Sequence, residues 1–384
     1  MNMGNTTTSK TYIVVGAGIL GASTAYHLAK EGKSVTVVDR QDLGQATDAA
    51  AGIVCPWLSQ RRNKAWYRLV KNGARYYPTL IKELEKDGEE DTGYKQVGAI
   101  SLHTEEGKLT KMEERAYKRR ESAPEIGEIT RLSPKETRAI FPPISDGFGS
   151  IHISGGARVN GRALRTALLN ASVKHGATLK VGNAEAILNN RTITGVMVNG
   201  EIINGDKVIL TAGAWAKDFL SKMDIPFQVF AQKAQIIHLQ LGEGEIATGN
   251  WPVVMPPNNQ YILSFGGGKV VVGATHEDDV GFDLRVTAGG IHEILNKALS
   301  VAHGLGDGAI EEIRVGFRPI TPGFLPVFGF VPQVDGLLVA NGLGASGLTA
   351  GPYLGAELAK LAQNQKTELQ LEDYDVRSAM EEDD

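Results

Sequence analysis

Two stretches carry glycines in the spacing G-x-G-x-x-G: Gly16, Gly18 and Gly21 in "VGAGILGA", and Gly342, Gly344 and Gly347 in "NGLGASGL". That spacing lets backbone N–H groups come close to the oxygens of a phosphate. In the first stretch Gly16 permits a tight turn, Gly18 admits a pyrophosphate and Gly21 packs a helix against a strand. Ile19 and Leu20 open that helix, whose N–H groups and positive end face the anion. Asp39 stands 18 residues beyond Gly21, at the end of the next apolar run. A carboxylate there accepts hydrogen bonds from both ribose hydroxyls and repels a 2′-phosphate, which leaves NAD or FAD. Arg40 is placed to stack on adenine. The segment "GQATDAAAGIVCPW" (44–57) separates the two cofactors. After Thr47 and Asp48 come Ala49, Ala50, Ala51, Gly52 and Ile53, and small side chains let a long dinucleotide with a ribityl chain lie against the backbone. An NAD enzyme has no need of such a patch here, so the reading is FAD. Asp48 also reads as a helix N-cap.

These residues need elements to hold them. Residues 11–15 (TYIVV) read as a strand, a helical pattern follows to Lys30, and "KSVTVVD" (33–39) reads as a second strand. That is the opening unit of a doubly wound sheet. Helices are expected over 63–86, 104–120 and 160–175, and a strand over 97–102. "ATLKV", "TITGVMV" and "GDKVILTAG" read as short strands. From residue 228 the pattern becomes strands separated by Pro, Gly and Asn, with a hairpin turn in "FGGGK", which gives an antiparallel sheet. A helix over 287–302, a strand over 311–321, a strand over 336–340 and a helix from Leu348 to about Asn364 complete the chain. The fold class is α/β with α+β character: a Rossmann-like FAD-binding domain interleaved with an antiparallel-sheet substrate domain. Dinucleotide features at both ends make the FAD-binding domain discontinuous, over 10–85, 145–222 and 310–365, with the substrate-binding domain in 86–144 and 223–309. Residues 1–9 and 366–384 are expected as tails, the first a disordered lead-in and the "MEEDD" end solvated.

The chain has 384 residues, 42 % of them hydrophobic, enough for one large or two ordinary domains with a sizeable core. A net charge of −4 gives no basic footprint for nucleic acid. No apolar run approaches the roughly 20 residues of a membrane span. "MNMGNTTTSK" lacks the apolar middle of a signal peptide. Cys55 is the one cysteine, so no disulfide and no thiolate metal cluster forms within the chain, and no metal site is expected. A cytoplasmic enzyme is the simplest reading, and nothing opposes a homo-oligomer.

The motifs GAGILG, Asp39-Arg40, "ATDAAAG", "ILTAGAWA" (209–216), "GFRPITPGFLPVFG" (316–329) and "GLGASGLTAGP" (342–352) occur in that order. Together they resemble the FAD-dependent D-amino-acid oxidase family, which takes in glycine oxidase, monomeric sarcosine oxidase and D-amino acid dehydrogenases. The likeness spans residues 10–365, with glycine-oxidase-like and D-amino-acid-dehydrogenase-like members nearest. The resemblance implies that Arg318 clamps the substrate carboxylate and that Tyr261 hydrogen-bonds the same group. Gly323 departs from the motif, where an Asp is common. The resemblance also implies adenine binding by the strand pair near 180–187, with Glu185 the residue singled out. Ala212, Gly213 and Trp215 of "ILTAGAWA" are expected along the cofactor. The family's covalent tethers lie elsewhere than Cys55, so FAD is expected to be noncovalent. A polar or cationic residue is frequent in the closing turn of glycine-oxidase-like proteins; here Ala345 stands there beside Ser346, which argues against glycine itself as the substrate and leaves room for a side chain.

The second glycine turn now has a role. Only 37 residues follow Gly347, with no second strand ending in an acid, so a second dinucleotide site is not expected. In the resembling family this turn lies at the pyrimidine end of the flavin. Gly342, Gly344, Ala345, Ser346, Gly347, Leu348 and Thr349 are therefore assigned to the same FAD, where a helix N-terminus stabilises the negative charge that reduction brings. The leading function is oxidation of the Cα–N bond of a small amino acid (a D-amino acid, glycine or an N-methyl amino acid) by hydride transfer to flavin, giving an imine that hydrolyses to a 2-oxo acid. Dioxygen or a quinone is the electron acceptor. Oxidation of a 2-hydroxy acid, with His276 as the base, and an electron-transferring flavoprotein subunit are the alternatives.

Overall fold

In a computed structural model, which describes residues 10–242 and 247–380, β1 (Thr11–Val15) lies parallel to β2 (Ser34–Asp39), with α1 (Ile19–Lys30) between them in sequence. The expected lead-in 1–9 and the terminal residues 381–384 lie outside the described residues. β1 is buried on both faces, from Tyr12 to Val15, as an unbroken apolar run in the middle of a parallel sheet should be. Six strands make that sheet, in the order Val327–Phe330, Leu337–Asn341, Lys207–Leu210, β1, β2, Thr178–Val181. All neighbours are parallel except the edge strand Val327–Phe330, which runs antiparallel to Leu337–Asn341. The closing helix Gly347–Ala362 packs on α1 at close range. A Cβ on Gly355 would stand 2.6 Å from the Ser23 Cβ, so glycine sets the approach.

The second sheet has eight strands and begins with two long ones, Ala309–Ile320 and Phe230–Gln240, followed by Lys269–Gly273 and Tyr261–Ser264. Its far half holds Val253–Met255, Ala99–His103, Gly149–Ile153 and Ile129–Leu132. It is antiparallel except where Val253–Met255 meets Ala99–His103. The register of the two long strands puts Gln232 opposite Arg318, which matters below. The hairpin over "FGGGK" forms as the sequence indicates, with Phe265 N–H donating to Lys269 O at 2.8 Å. α2 (Lys64–Lys86) and α3 (Glu106–Arg120) lie within the segments read as helical.

Two expectations change. Gly149–Ile153 and Ala309–Ile320 are hydrogen-bonded into the eight-stranded sheet, so that layer extends past the segments 86–144 and 223–309. Residues 366–380 are not a tail. Tyr374, Val376, Ala379 and Met380 are buried, the Tyr374 hydroxyl donates to Ala65 O at 2.7 Å, and Gln228 N–H donates to Ala379 O at 2.7 Å. With Leu369, five buried apolar residues spaced through an acidic segment are enough to anchor it, and the charge around them hid that pattern. No helix among the described residues is long and apolar enough to cross a membrane.

Candidate active site

The two sheets enclose one cavity of about 950 Å³. Its walls include Asp39 and Arg40, both glycine turns, the Ala49–Ile53 patch, and Tyr261, His276 and Arg318. Residues separated by some 300 positions thus share one space, as a single long cofactor requires.

At one end the Asp39 carboxylate accepts from the N–H groups of Ala17 at 2.6 Å and Gln41 at 2.6 Å, and from Gln45 Nε2 at 2.9 Å. A carboxylate has about four lone-pair directions, so one remains for a ribose hydroxyl. Arg40 lines the same end, held by Asp42 at 2.8 Å and Asp218 at 3.5 Å. The glycines divide the work. Gly16 has φ +101°, and a Cβ there would stand 2.7 Å from Thr211 O. At Gly21 a Cβ would stand 1.9 Å from Gly16 O, so Gly21 acts through packing and does not line the cavity. Only at Gly18 is there room, with Thr47 Oγ1 3.6 Å from the built Cβ. The Thr47 hydroxyl accepts from Ile19 N–H at 3.0 Å. One N–H expected to face the phosphate is therefore capped by Thr47, while Ile19 and Leu20 still line the cavity.

Ala50, Ala51, Gly52 and Ile53 form the wall beyond. Across from them lie Ala212, Gly213 and Trp215; the Trp215 ring also stacks on Phe282 at 5.0 Å between centroids, so it serves packing and cavity at once. Asn341 ties this wall to the second glycine turn: its Nδ2 donates to Gly213 O at 2.9 Å and its Oδ1 accepts from Gly342 N–H at 2.7 Å. The residues from Gly342 to Thr349, including Gly344, Ala345, Ser346, Gly347 and Leu348, line the cavity at the start of the closing helix. Thr349 Oγ1 donates to Ile53 O at 2.9 Å, joining this turn to the small-residue patch. Ser346 Oγ accepts from Trp66 Nε1 at 3.0 Å.

Glu185 lies elsewhere. It pairs with Lys222 at 2.5 Å on an exposed edge, and the wall here is Gly182, Asn183 and Ala184. The resemblance indicated the strand pair near 180–187; it is the residues entering that pair, and not Glu185, that line the cavity. The Cys55 thiol lines the cavity and is buried, which pushes its pKa up to about 12, so it stays a neutral thiol.

At the far end, Arg318 of Ala309–Ile320 donates from Nη1 to Gln232 Oε1 at 3.1 Å and to Thr275 O at 3.4 Å. Both partners are neutral; no carboxylate among the described residues pairs with it. The Tyr261 hydroxyl is its neighbour. Burial raises the Tyr261 pKa to about 12 against the opposing pull of Arg318, so the hydroxyl remains a donor. His276 lines the cavity, and burial together with the Arg318 charge lowers its pKa, which keeps the imidazole neutral at neutral pH. Gln232, Asn259, Gln260 and Met255 were not found from the sequence. Only the pairing of distant strands brings them here, and no spacing within the chain signals it.

A carboxylate held beneath a turn at the end of β2, glycines that leave backbone bare, and a cavity continuous to a second helix N-terminus fit FAD in size and donor set. The molecule is a FAD-dependent oxidoreductase. More particularly, the chain belongs to the DAO family of FAD dependent oxidoreductases, whose family model matches residues 11–361. It is 65% identical over 372 residues to the oxidoreductase YurR of Bacillus subtilis strain 168, covering 97% of this chain and 100% of that one. The crystal structure of iminodiacetate oxidase (IdaA) from Chelativorans sp. BNC1 superposes with a TM-score of 0.92 at 45% identity, covering 95% and 98% of the two chains. Glycine oxidase of Pseudomonas aeruginosa is 28% identical over 351 residues, 90% of this chain and 92% of the relative.

Proposed function

We propose that this enzyme oxidises the Cα–N bond of a small amino acid or N-substituted amino acid, yielding an imine that water converts to a 2-oxo acid and an amine or ammonia. One observation carries the reading: among the described residues Arg318, at the end of the cofactor cavity, has only neutral partners. A largely enclosed guanidinium without a counter-ion is a receptor for a carboxylate, which it grips through two parallel N–H···O bonds. Glycine and iminodiacetate, named for two of the relatives, are both amines with a carboxylate one carbon away.

Bound FAD supplies the acceptor for the hydride of the substrate Cα–H. The chain supplies position. Arg318 fixes the carboxylate and the Tyr261 hydroxyl donates to it, which leaves only rotation about the Cα–carboxylate bond to be set by the walls. The apolar wall of Met255 and Leu348 keeps water away. No side chain needs to act as a strong base if the amine binds deprotonated. The small Ala345 leaves room for a substituent on carbon or nitrogen. Electrons leave to dioxygen or a quinone, and hydrogen peroxide formation tells the two apart.

A 2-hydroxy acid would use the same clamp but needs a base for its hydroxyl proton, and His276 is the histidine in the cavity wall. Anaerobic mixing of the holoenzyme with D-, L- and N-methyl amino acids, glycine, iminodiacetate and 2-hydroxy acids decides. Bleaching of the flavin by amines and not by hydroxy acids is expected; the reverse would replace this reading.

A further inference from the structure

Beside the cavity lies a second concavity of about 450 Å³ lined by five cations: Arg61, Arg62, Lys64, Arg115 and Arg119. None of them has a carboxylate partner within salt-bridge distance among the described residues. In a chain with a net charge of −4 this concentration does not follow from composition. Nor does helix electrostatics explain all of it. Arg119 sits in the last turn of α3, where a cation complements the helix dipole. Arg61, Arg62 and Lys64 surround the start of α2, whose first turn holds no acid. Three cations at the positive end of a 23-residue helix oppose its dipole. Burial lowers the Arg119 pKa, and the charge of Arg115 adds to that shift against the opposing effect of Tyr67. The carboxylate that acts on the adjoining Tyr67, Glu125, is held by Arg75 at 3.4 Å. Charges arranged against their own field mark a place where an external anion is expected.

The lining of the concavity follows directly in sequence on part of the cofactor cavity's lining. Pro56 and Ser59 line the cavity, and the next residues in sequence, from Gln60 to Lys64, line the groove. The Arg61 guanidinium lies 4.8 Å from the ring centroid of Trp66, and Trp66 lines the cavity and donates to Ser346. Arg119 donates to the carbonyl oxygens of Trp57 and Ser59, so it also braces that stretch of chain.

We propose that this groove is an anion-gathering entrance that selects substrates carrying a second carboxylate, drawing amino dicarboxylates toward Arg318 in preference to zwitterions. It rests on the amine-oxidation reading above and narrows its substrate class. At neutral pH such an amine dicarboxylate bears a net negative charge, whereas N-methylglycine bears none, so a positive field speeds the capture of the first and hardly affects the second.

The test uses holoenzyme, wild type and the double variant Arg62→Glu/Arg115→Glu, at low and high salt. With iminodiacetate and N-methylglycine as probes, the ratio of their kcat/KM values should fall by about tenfold on charge reversal, and added salt should shrink the wild-type ratio toward that of the variant. Arg62→Lys/Arg115→Lys should keep the ratio. Equal shifts for both substrates, or a ratio indifferent to salt, would overturn the proposal. A second arm needs no turnover. The affinities of diglycolate and methoxyacetate, which lack the amine, are read from perturbation of the flavin spectrum, and their ratio should fall in the same way. If neither amine is oxidised, the amine-oxidation reading fails and this second arm alone judges the groove; an unchanged inhibitor ratio then rejects it.

Discussion

Gln232 stands between Arg318 and Asp278: its Oε1 accepts from Arg318 Nη1 at 3.1 Å, and its Nε2 donates to Asp278 Oδ1 at 2.9 Å. The carboxamide both orients the guanidinium and engages the Asp278 carboxylate on its other side. Gln232→Glu replaces the neutral acceptor with a carboxylate that competes with the substrate for Arg318. Substrate KM should rise by about tenfold or more, because a counter-ion must now be displaced from a partly desolvated cation. Gln232→Leu deletes one neutral hydrogen bond, worth about 0.5–1.5 kcal/mol, and should be the milder change. Steady-state kinetics on both variants checks the order, and a Glu variant that performs better than the Leu variant would contradict the clamp.

Asp39 serves two ends at once. Its carboxylate receives Ala17 N–H from within the first glycine turn and has capacity left for the ribose. Asp39→Ala should therefore weaken FAD retention through both the lost ribose contact and a loosened turn, while the absorption maxima of the remaining bound flavin stay in place. Equilibrium dialysis against FAD measures the loss. Acid precipitation of the wild type should leave the yellow colour in the supernatant, as a noncovalent cofactor must; a yellow pellet would contradict it.

His27 links folding to pH. It is enclosed between α1 and α2, with Nδ1 2.7 Å from Ser23 O and Nε2 facing the Tyr76 hydroxyl. The carbonyl requires a proton on Nδ1, so Nε2 is left as acceptor and the ring is neutral. Burial lowers its pKa below the ordinary histidine value of about 6.5. A histidine with a depressed folded-state pKa binds its proton more readily when unfolded, so its contribution is full above about pH 6.5 and declines as the pH falls toward the folded value. Thermal melts of the wild type should show Tm falling on acidification through this range. His27→Gln, which keeps a donor and an acceptor, should have a flatter profile over the same interval; an identical slope would assign the acid sensitivity to other groups such as His238.

Local signals were legible in the sequence and long-range ones were not. The β1 run, the turn at Gly16–Gly21 and Asp39 lie within 30 residues, and each has a chemical reason visible at its own position. The pair Gln232 and Arg318 is set by the register of two strands whose partners are 86 positions apart, and a glutamine in a strand carries no mark of that role. The same limit explains Glu185: the resemblance indicated the strand pair near 180–187, but of its residues the cavity is lined by Gly182, Asn183 and Ala184. It also explains residues 366–380, whose five buried apolar side chains are spread too thinly to show a period.

Arg318 carries the most weight in the functional reading, and its substitution tests that reading at the root. The guanidinium can present two parallel N–H donors to a carboxylate, and its existing partners, Gln232 and Thr275, leave it charged. Removing a charged partner from such a site costs roughly 2–5 kcal/mol. At about 1.4 kcal/mol per factor of ten, that is a loss of some 30-fold to several thousandfold in substrate binding or rate. Arg318→Lys retains the charge but not the planar fork, so it should already be severely impaired. Arg318→Ala should fold and remain yellow, because the residue lies beyond the turns and the acid that hold the dinucleotide. The outcome that separates a substrate role from a structural one is spectroscopic: amino acids fail to bleach the flavin anaerobically while dithionite still does. If the alanine variant oxidises its substrate at near wild-type efficiency, the carboxylate is held elsewhere and the amine-oxidation reading loses the observation it stands on.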